Sequence, residues 1–182
     1  MAETFLTELK SMKRDTIARN SRRSKNWFKN KITKGKFDKK YIKSRPSFGG
    51  VYTFVYSPKY QKTLPYWDRN PLIVVIDHYA GGFLGLNFHY LPPKLRAIFM
   101  DKLLDFRRGF RDKARIKVNY GQLKSMSKLR YYKPTIKRYL TSHMRSKLIL
   151  IPEEEWKEML LLPYAKFSIP NTKVYQKSRA LI

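Results

Sequence analysis

Apolar residues are concentrated in the centre of the chain, where they form short runs typical of β-strands. Val51 to Tyr56 is a β-branched and aromatic run that begins after Gly49-Gly50. Leu72 to Ile76 is the strongest strand signal in the chain, and Gly81-Gly82 separates it from a second run, Phe83 to Phe88. Two strands joined by a short connection that contains glycine predict an antiparallel hairpin.

Helical periodicity appears on both sides of this centre. Apolar residues recur every three to five positions over residues 3–19, and a second apolar stripe follows Pro93 over residues 94–106. Both patterns predict helices, and proline suits a first helical turn. Residues 135–145 also predict a helix, as do residues 153–161, where three acids in the first turn favour a helix start. The tail, residues 172–182, is compatible with a weakly specified helix.

The remaining segments predict strands and an arm. Ile116, Val118 and Tyr120 alternate like a short strand, and the apolar run 148–151, bounded by Pro152, predicts another. Residues 30–47 lose the helical period and predict an extended basic arm. The fold class expected is therefore α+β, with a small, strongly bent antiparallel sheet of three to five strands, an SH3-like roll, flanked by helices.

Three parts of the chain follow from these patterns. Residues 1–47 form a basic N-terminal helix and arm, residues 48–165 the α+β core domain, and residues 166–182 a C-terminal tail. A chain of 182 residues with 42% hydrophobic and 15% aromatic residues can build one sizeable core, which excludes a wholly disordered protein.

Charge changes this picture most, because 40 Lys and Arg face 13 Asp and Glu, for a formal net charge of +27. The excess lies in two blocks, with 15 basic and 4 acidic residues in positions 1–50 and 15 basic and 3 acidic in positions 101–150. Charge of this size opposes a compact state unless a polyanion neutralises it. Nucleic acid is therefore the expected partner, bound by phosphate contacts without sequence preference.

The candidate nucleic-acid contacts are the cations of both blocks, with aromatic side chains interleaved in the first. Trp27 is the main stacking candidate, and Phe28, Tyr131 and Tyr132 are further ones that could stack on bases. The predicted binding residues are Arg14, Arg19, Arg22, Arg23, Lys25, Trp27, Lys29, Lys31, Lys34, Lys36, Lys39, Lys40, Arg107, Arg108, Arg111, Arg115, Arg130, Lys137 and Arg138.

Signatures of enzymes are weak in this sequence. The absence of cysteine excludes a disulfide framework, a Cys-ligated zinc site and a cysteine nucleophile. The three histidines, His78, His89 and His143, lie in separate predicted elements. Glu155-Trp156-Lys157 has a spelling found in one nuclease superfamily, but the Pro-Asp expected upstream is absent, and Glu153 to Glu155 are explained as charge at a helix start. We expect a non-enzymatic protein without metal or cofactor, and no apolar run reaches the roughly 18 residues of a membrane span.

Several segments also resemble a known family. They are Tyr52–Tyr56, Lys62–Ile73, Gly82–Ala97, Tyr132–Leu140 and Ile151–Trp156. Together they resemble small virion-associated proteins of large contractile-tailed phages, of the kind labelled DNA end protectors, over about residues 19–180.

The resemblance implies a virion protein that binds the termini of a linear phage genome and shields them from host exonuclease. It implies no catalytic residue. The alternative is a structural protein of the phage tail, baseplate hub or head-tail junction, whose basic arms bind neighbouring virion proteins.

Overall fold

The structure is a computed structural model that describes residues 4–33, 38–108 and 121–180. Within these ranges the chain forms six helices and six strands. The helices are α1 (Phe5–Ser11), α2 (Arg14–Thr33), α3 (Pro93–Arg108), α4 (121–127), α5 (Trp156–Leu160) and α6 (Asn171–Ala180). The strands are β1 (Ile42–Lys43), β2 (Val51–Thr53), β3 (Leu72–Tyr79), β4 (Gly82–Asn87), β5 (Ile136–Leu140) and β6 (Leu148–Leu150).

The six strands form one open antiparallel sheet in the order β1-β6-β2-β3-β4-β5. The predicted α+β class is confirmed. The sheet exceeds the three to five strands expected, because β1 and β5 add edges that the sequence pattern did not indicate. The SH3-like roll is not confirmed.

Each face of the sheet supports its own hydrophobic cluster. On β3, Leu72, Val74 and Ile76 join the cluster shared with the helices, whereas Ile73 and Val75 join an aromatic cluster. This division follows from the alternation of side chains along a strand. The aromatic cluster includes residues 54 and 56 of the β2–β3 connection. That connection therefore covers the second face in place of helices.

Four sequence predictions match the structure well. β3 and β4 pair as the expected hairpin, with Tyr79 opposite Gly82 and a left-handed Gly81 (φ 82°) in the turn. α3 begins at Pro93, β6 occupies the apolar run at 148–150, and α5 follows the acid-rich turn at 153–155.

Three local predictions are wrong. The single helix predicted over residues 3–19 is two helices, because the backbone is extended at Met12 between α1 and α2. Residues 136–140 form a strand instead of the predicted helix at 135–145, with side chains alternating between half-buried and buried. The helix α2 continues to Thr33, so the segment that begins at residue 30 is not extended at its start. Most of α2 is polar because only one side of it meets the core. The short strand predicted from Ile116, Val118 and Tyr120 lies outside the described residues.

The N-terminal helices pack on the body of the protein. Phe5 is buried, and Leu6, Leu9, Ile17 and Trp27 pack against the same cluster as the core helices. Among the described residues, no helix is long and apolar enough to cross a membrane.

Two polar side chains of α3 fix this arrangement. Asp101 Oδ1 accepts from the backbone N–H of Phe5 at 2.7 Å, and its Oδ2 accepts from that of Leu6 at 3.2 Å, which caps α1. Asp101 thus serves a contact with the start of α1, 96 residues away in the chain. Arg96 is fully buried and joins α3 to the end of α5 through backbone carbonyls.

Candidate nucleic-acid interface

One side of α2 carries four exposed cations, with Ala18 and Ile32 in the same sector. Arg14, Arg22, Lys25 and Lys29 are all exposed, and at 3.6 residues per turn they fall within a sector of about 80° around the helix axis. We call these four residues the α2 stripe. Its two ends are separated by about 22 Å along the axis, from a rise of about 1.5 Å per residue. None of the four forms an ion pair within the part of the chain that the structure describes.

The opposite side of α2 is held to α5 by carboxylates. Trp27 Nε1 donates to Glu155 Oε2 at 2.7 Å, and Lys31 Nζ lies 2.6 Å from Glu155 Oε1. Arg23 pairs with Glu158, although its side chain stays 72% exposed. Three predicted DNA contacts therefore orient α2 on the body, and this contact turns the α2 stripe toward solvent.

Glu155 and Glu158 were missed as functional residues by sequence reasoning. The sequence explained Glu153 to Glu155 as charge at a helix start, and Glu155 stands in that position. Its second role depends on Lys31, which is 124 residues away in the chain. No local sequence pattern predicts a contact between residues so far apart. It also gives the nuclease-like triplet at 155–157 a structural explanation, with Trp156 fully buried.

The other predicted contacts of the first basic block are dispersed. Arg19 is exposed on α2 beside the stripe, and Lys39 and Lys40 are exposed in the turn before β1. Lys40 Nζ lies 3.2 Å from Asp38, which raises the pKa of Lys40. Lys34 and Lys36 lie outside the described residues.

The second basic block does not form one surface in the described residues. Arg107 pairs with Glu153 at 3.4 Å and covers the Trp156 ring, whereas Arg108 is exposed. The guanidinium of Arg138 lies 3.8 Å from the centre of the Tyr79 ring. Arg111 and Arg115 lie outside the described ranges.

The stacking candidates divide between core and surface. Tyr132 is buried and its hydroxyl donates to Leu95 O at 3.1 Å, so it is a core residue. Tyr131 is 52% exposed, with the Arg130 guanidinium 4.7 Å from its ring centre. Phe28 packs edge-on against the His89 ring at 4.9 Å. Tyr131 is thus the exposed member of the predicted set.

Lys137 is buried, in contrast to the surface contact expected of it. Only 5% of it is exposed, and its Nζ donates to Tyr66 O. Burial lowers the pKa of Lys137 to about 7, and nearby Asp68 opposes that shift. Because it cannot reach phosphate from this position, Lys137 is not part of the candidate interface.

Asp68 organises the polar groups beside Lys137. Its Oδ2 accepts from Asn87 Nδ2 at 2.7 Å and contacts His89 Nδ1 at 3.1 Å. Burial raises the pKa of the Asp68 carboxyl, but the contacts with His89 and Asn87 outweigh it and leave the pKa below its usual value. The cluster of Lys137, Asp68, Asn87 and His89 therefore fixes the β2–β3 connection to β4 and β5.

Each histidine contacts a different group, and the three lie apart in the sequence. His78 Nε2 contacts Pro46 O, and His143 Nδ1 contacts Ser57 O. Within the described part of the chain, no three side chains of the metal-binding types are grouped to hold an ion.

A net charge of +27 on an α+β body, with exposed cations aligned on one helix, is typical of a protein whose partner is a polyanion. The chain belongs to the family described as phage T4 terminal DNA protecting protein, whose model matches residues 1–181. No curated protein and no solved structure matched it. The resemblance to phage DNA end protectors is thus confirmed, and the chain is a phage protein of a family that protects DNA ends.

Proposed function

We propose that this protein binds the ends of a linear phage genome through sequence-independent phosphate contacts and thereby shields them from host exonuclease in the virion. The observation that carries the proposal is the α2 stripe, four exposed cations on one side of a helix that is clamped to the body. Arg19, Lys39, Lys40, Arg108, Arg130 and Arg138 supply further positive charge.

The dimensions of the stripe suit duplex DNA. Its length of about 22 Å matches roughly six base pairs at 3.4 Å each, so each cation can meet a different phosphate. Neutralising phosphates releases condensed counterions, and affinity then falls as salt rises. Four such contacts correspond to a loss of about 100-fold in affinity between 50 and 200 mM salt. This term carries no sequence information, as protection of any terminus requires.

The test compares a stripe variant with a control of equal charge. The stripe variant carries Arg14→Gln, Arg22→Gln, Lys25→Gln and Lys29→Gln. The control carries Arg145→Gln, Lys147→Gln, Lys166→Gln and Lys173→Gln, all exposed and outside the predicted contacts. In one assay, each protein is mixed with linear duplex and an exonuclease that starts at duplex ends, and protection of the DNA is measured. In a second assay, the affinity of each protein for the duplex is measured as a function of salt concentration.

We expect the stripe variant to lose protection, and its plot of log affinity against log salt to become shallower by about 3 to 4. The control should keep protection and most of the slope. If the stripe variant protects ends as well as the unmodified protein does, the proposal is wrong. An undiminished protection combined with loss of incorporation into particles would instead support the alternative role in the tail, baseplate hub or head-tail junction.

A further inference from the structure

Phosphate contacts alone do not distinguish the end of a duplex from its middle. What differs at an end is the flat face of the last base pair, which is covered by a neighbour everywhere else in the helix. Aromatic side chains stack on such faces without regard to sequence. An end-binding protein with the α2 stripe therefore gains specificity from an exposed, firmly held aromatic ring close to that stripe.

Trp67 meets the first requirement, exposure. It lies in the connection between β2 and β3, and 37% of it is exposed although both neighbours in the chain are largely buried. The same connection carries the exposed cations Lys59, Lys62 and Arg69. Its one acid is Asp68, which is paired within the fold. The connection that carries Trp67 therefore has an excess of positive charge.

The backbone on both sides of Trp67 is held by buried groups. The Tyr66 ring lies 4.3 Å from the Tyr90 ring and 4.9 Å from that of Phe167, and the Tyr66 carbonyl accepts from Lys137. On the other side, the Asp68 carboxylate is bound by Asn87 and His89. Burying a lysine and a carboxylate carries a desolvation penalty. Here these buried charges hold the segment that presents an exposed indole.

Contacts also join this segment to α2. The Phe28 ring lies 4.9 Å from the His89 ring, and His89 contacts the Asp68 carboxylate at 3.1 Å. Phe28 is adjacent in the chain to Lys29, the last cation of the α2 stripe. The segment that carries Trp67 is thus linked through His89 and Phe28 to the C-terminal half of α2, where the stripe ends.

We propose that Trp67 stacks on the terminal base pair of duplex DNA while the α2 stripe holds the phosphates of the adjoining duplex. The inference rests on the proposed function and adds the element that distinguishes an end from internal DNA. Tyr131, the exposed stacking candidate from the sequence, lacks comparable support. Its own ring is covered on one side by Arg130.

The experiment uses two duplexes of one sequence, a blunt linear form and a dumbbell whose ends are closed by loops. We expect the unmodified protein to prefer the blunt form, and Trp67→Ala to reduce that preference by about tenfold while dumbbell binding stays unchanged. Trp67→Phe should restore part of the preference. Tyr60→Ala is the control, because Tyr60 is 43% exposed in the same connection with the Lys59 ammonium over its ring, and it should leave the preference intact. Thermal unfolding of each variant checks the fold.

A second measurement needs no substitution. A 2-aminopurine base at the terminus of the blunt duplex should change its emission on binding, and the same base placed ten pairs inside should not. If Trp67→Ala keeps the preference for blunt ends, or if terminal and internal probes respond alike, the stacking role is wrong while the proposed function stands. Equal binding of both duplexes by the unmodified protein, without protection from exonuclease, would instead overturn the proposed function. A Trp67→Ala protein that keeps its end preference but fails to enter particles would show that the ring docks a protein.

Discussion

Replacement of Arg96 by methionine tests how the helical layer is held together. The Arg96 side chain is fully buried on α3, and the four N–H groups of its Nη1 and Nη2 donate to five backbone carbonyls at 2.8 to 3.0 Å, so that two of these carbonyls share one N–H. No carboxylate of the described residues contacts it. The carbonyl acceptors are those of Phe88, Leu91, Met159, Leu160 and Leu162.

The expected cost follows from the carbonyls of Leu91, Leu160 and Leu162, because those of Phe88 and Met159 also accept from backbone N–H groups. A buried acceptor left without a partner costs roughly 1–3 kcal/mol. Removing the guanidinium also relieves its own desolvation penalty, which is several kcal/mol. The balance is a loss of about 4 kcal/mol for Arg96→Met, a large part of the roughly 5–15 kcal/mol that stabilises a typical domain. The stability of Arg96→Lys should lie between those of the unmodified protein and Arg96→Met, because an ammonium group has three donors and cannot reach five carbonyls.

Urea unfolding followed by tryptophan fluorescence measures this change, since Trp156 is fully buried beside the carbonyls that Arg96 binds. Lys94→Met is the control, because Lys94 is exposed two residues earlier on the same helix, and it should change stability by less than about 0.5 kcal/mol. A loss below about 1 kcal/mol for Arg96→Met would show that water or repacking replaces the guanidinium, and the reasoning would fail.

Two further predictions concern buried or capping charges. Burial lowers the pKa of Lys137 from 10.5 to about 7, so between these values the unfolded chain binds a proton that the folded protein does not. Stability measured by urea unfolding should therefore rise between pH 7 and pH 10, and Lys137→Met should remove that rise; an equal rise in the variant would assign it to other groups. Asp101→Ala should destabilise the protein by about 1–2 kcal/mol through loss of the α1 cap, with Asp101→Asn in between, and unchanged unfolding would show that water caps the helix equally well.

The sequence predicted elements well where one local pattern dominates. β3 and β4 are rich in β-branched and apolar residues around a glycine turn, and α3 has a proline start and a regular apolar stripe. β5 was misjudged because Ile136 and Leu140 are four residues apart, which suits a helix as well as alternate positions of a strand. The decisive fact, that Lys137 faces the interior, depends on Tyr66 from another part of the chain.

The candidate interface was predictable in composition but not in shape. The basic residues of α2 stand out in the sequence, yet their division into exposed cations and body contacts is set by Glu155 and Glu158 on the far side of the fold. Trp67 lies in one of the segments that resemble the family, but its exposure depends on how Tyr66 and Asp68 are anchored. Contacts between distant residues decide both, and no local pattern encodes them.

Two of the 13 acidic residues, Glu155 and Glu158, pair with cations of α2, and the chain keeps a formal net charge of +27. Copies of the protein should therefore repel one another, and dissolved salt should ease their crowding by screening that repulsion. The same salt weakens attachment to nucleic acid, because it reduces the gain from counterion release. Dense DNA and added electrolyte thus act as alternative sources of counter-charge. In a preparation that contains neither, the electrostatic repulsion between copies of this protein is strongest.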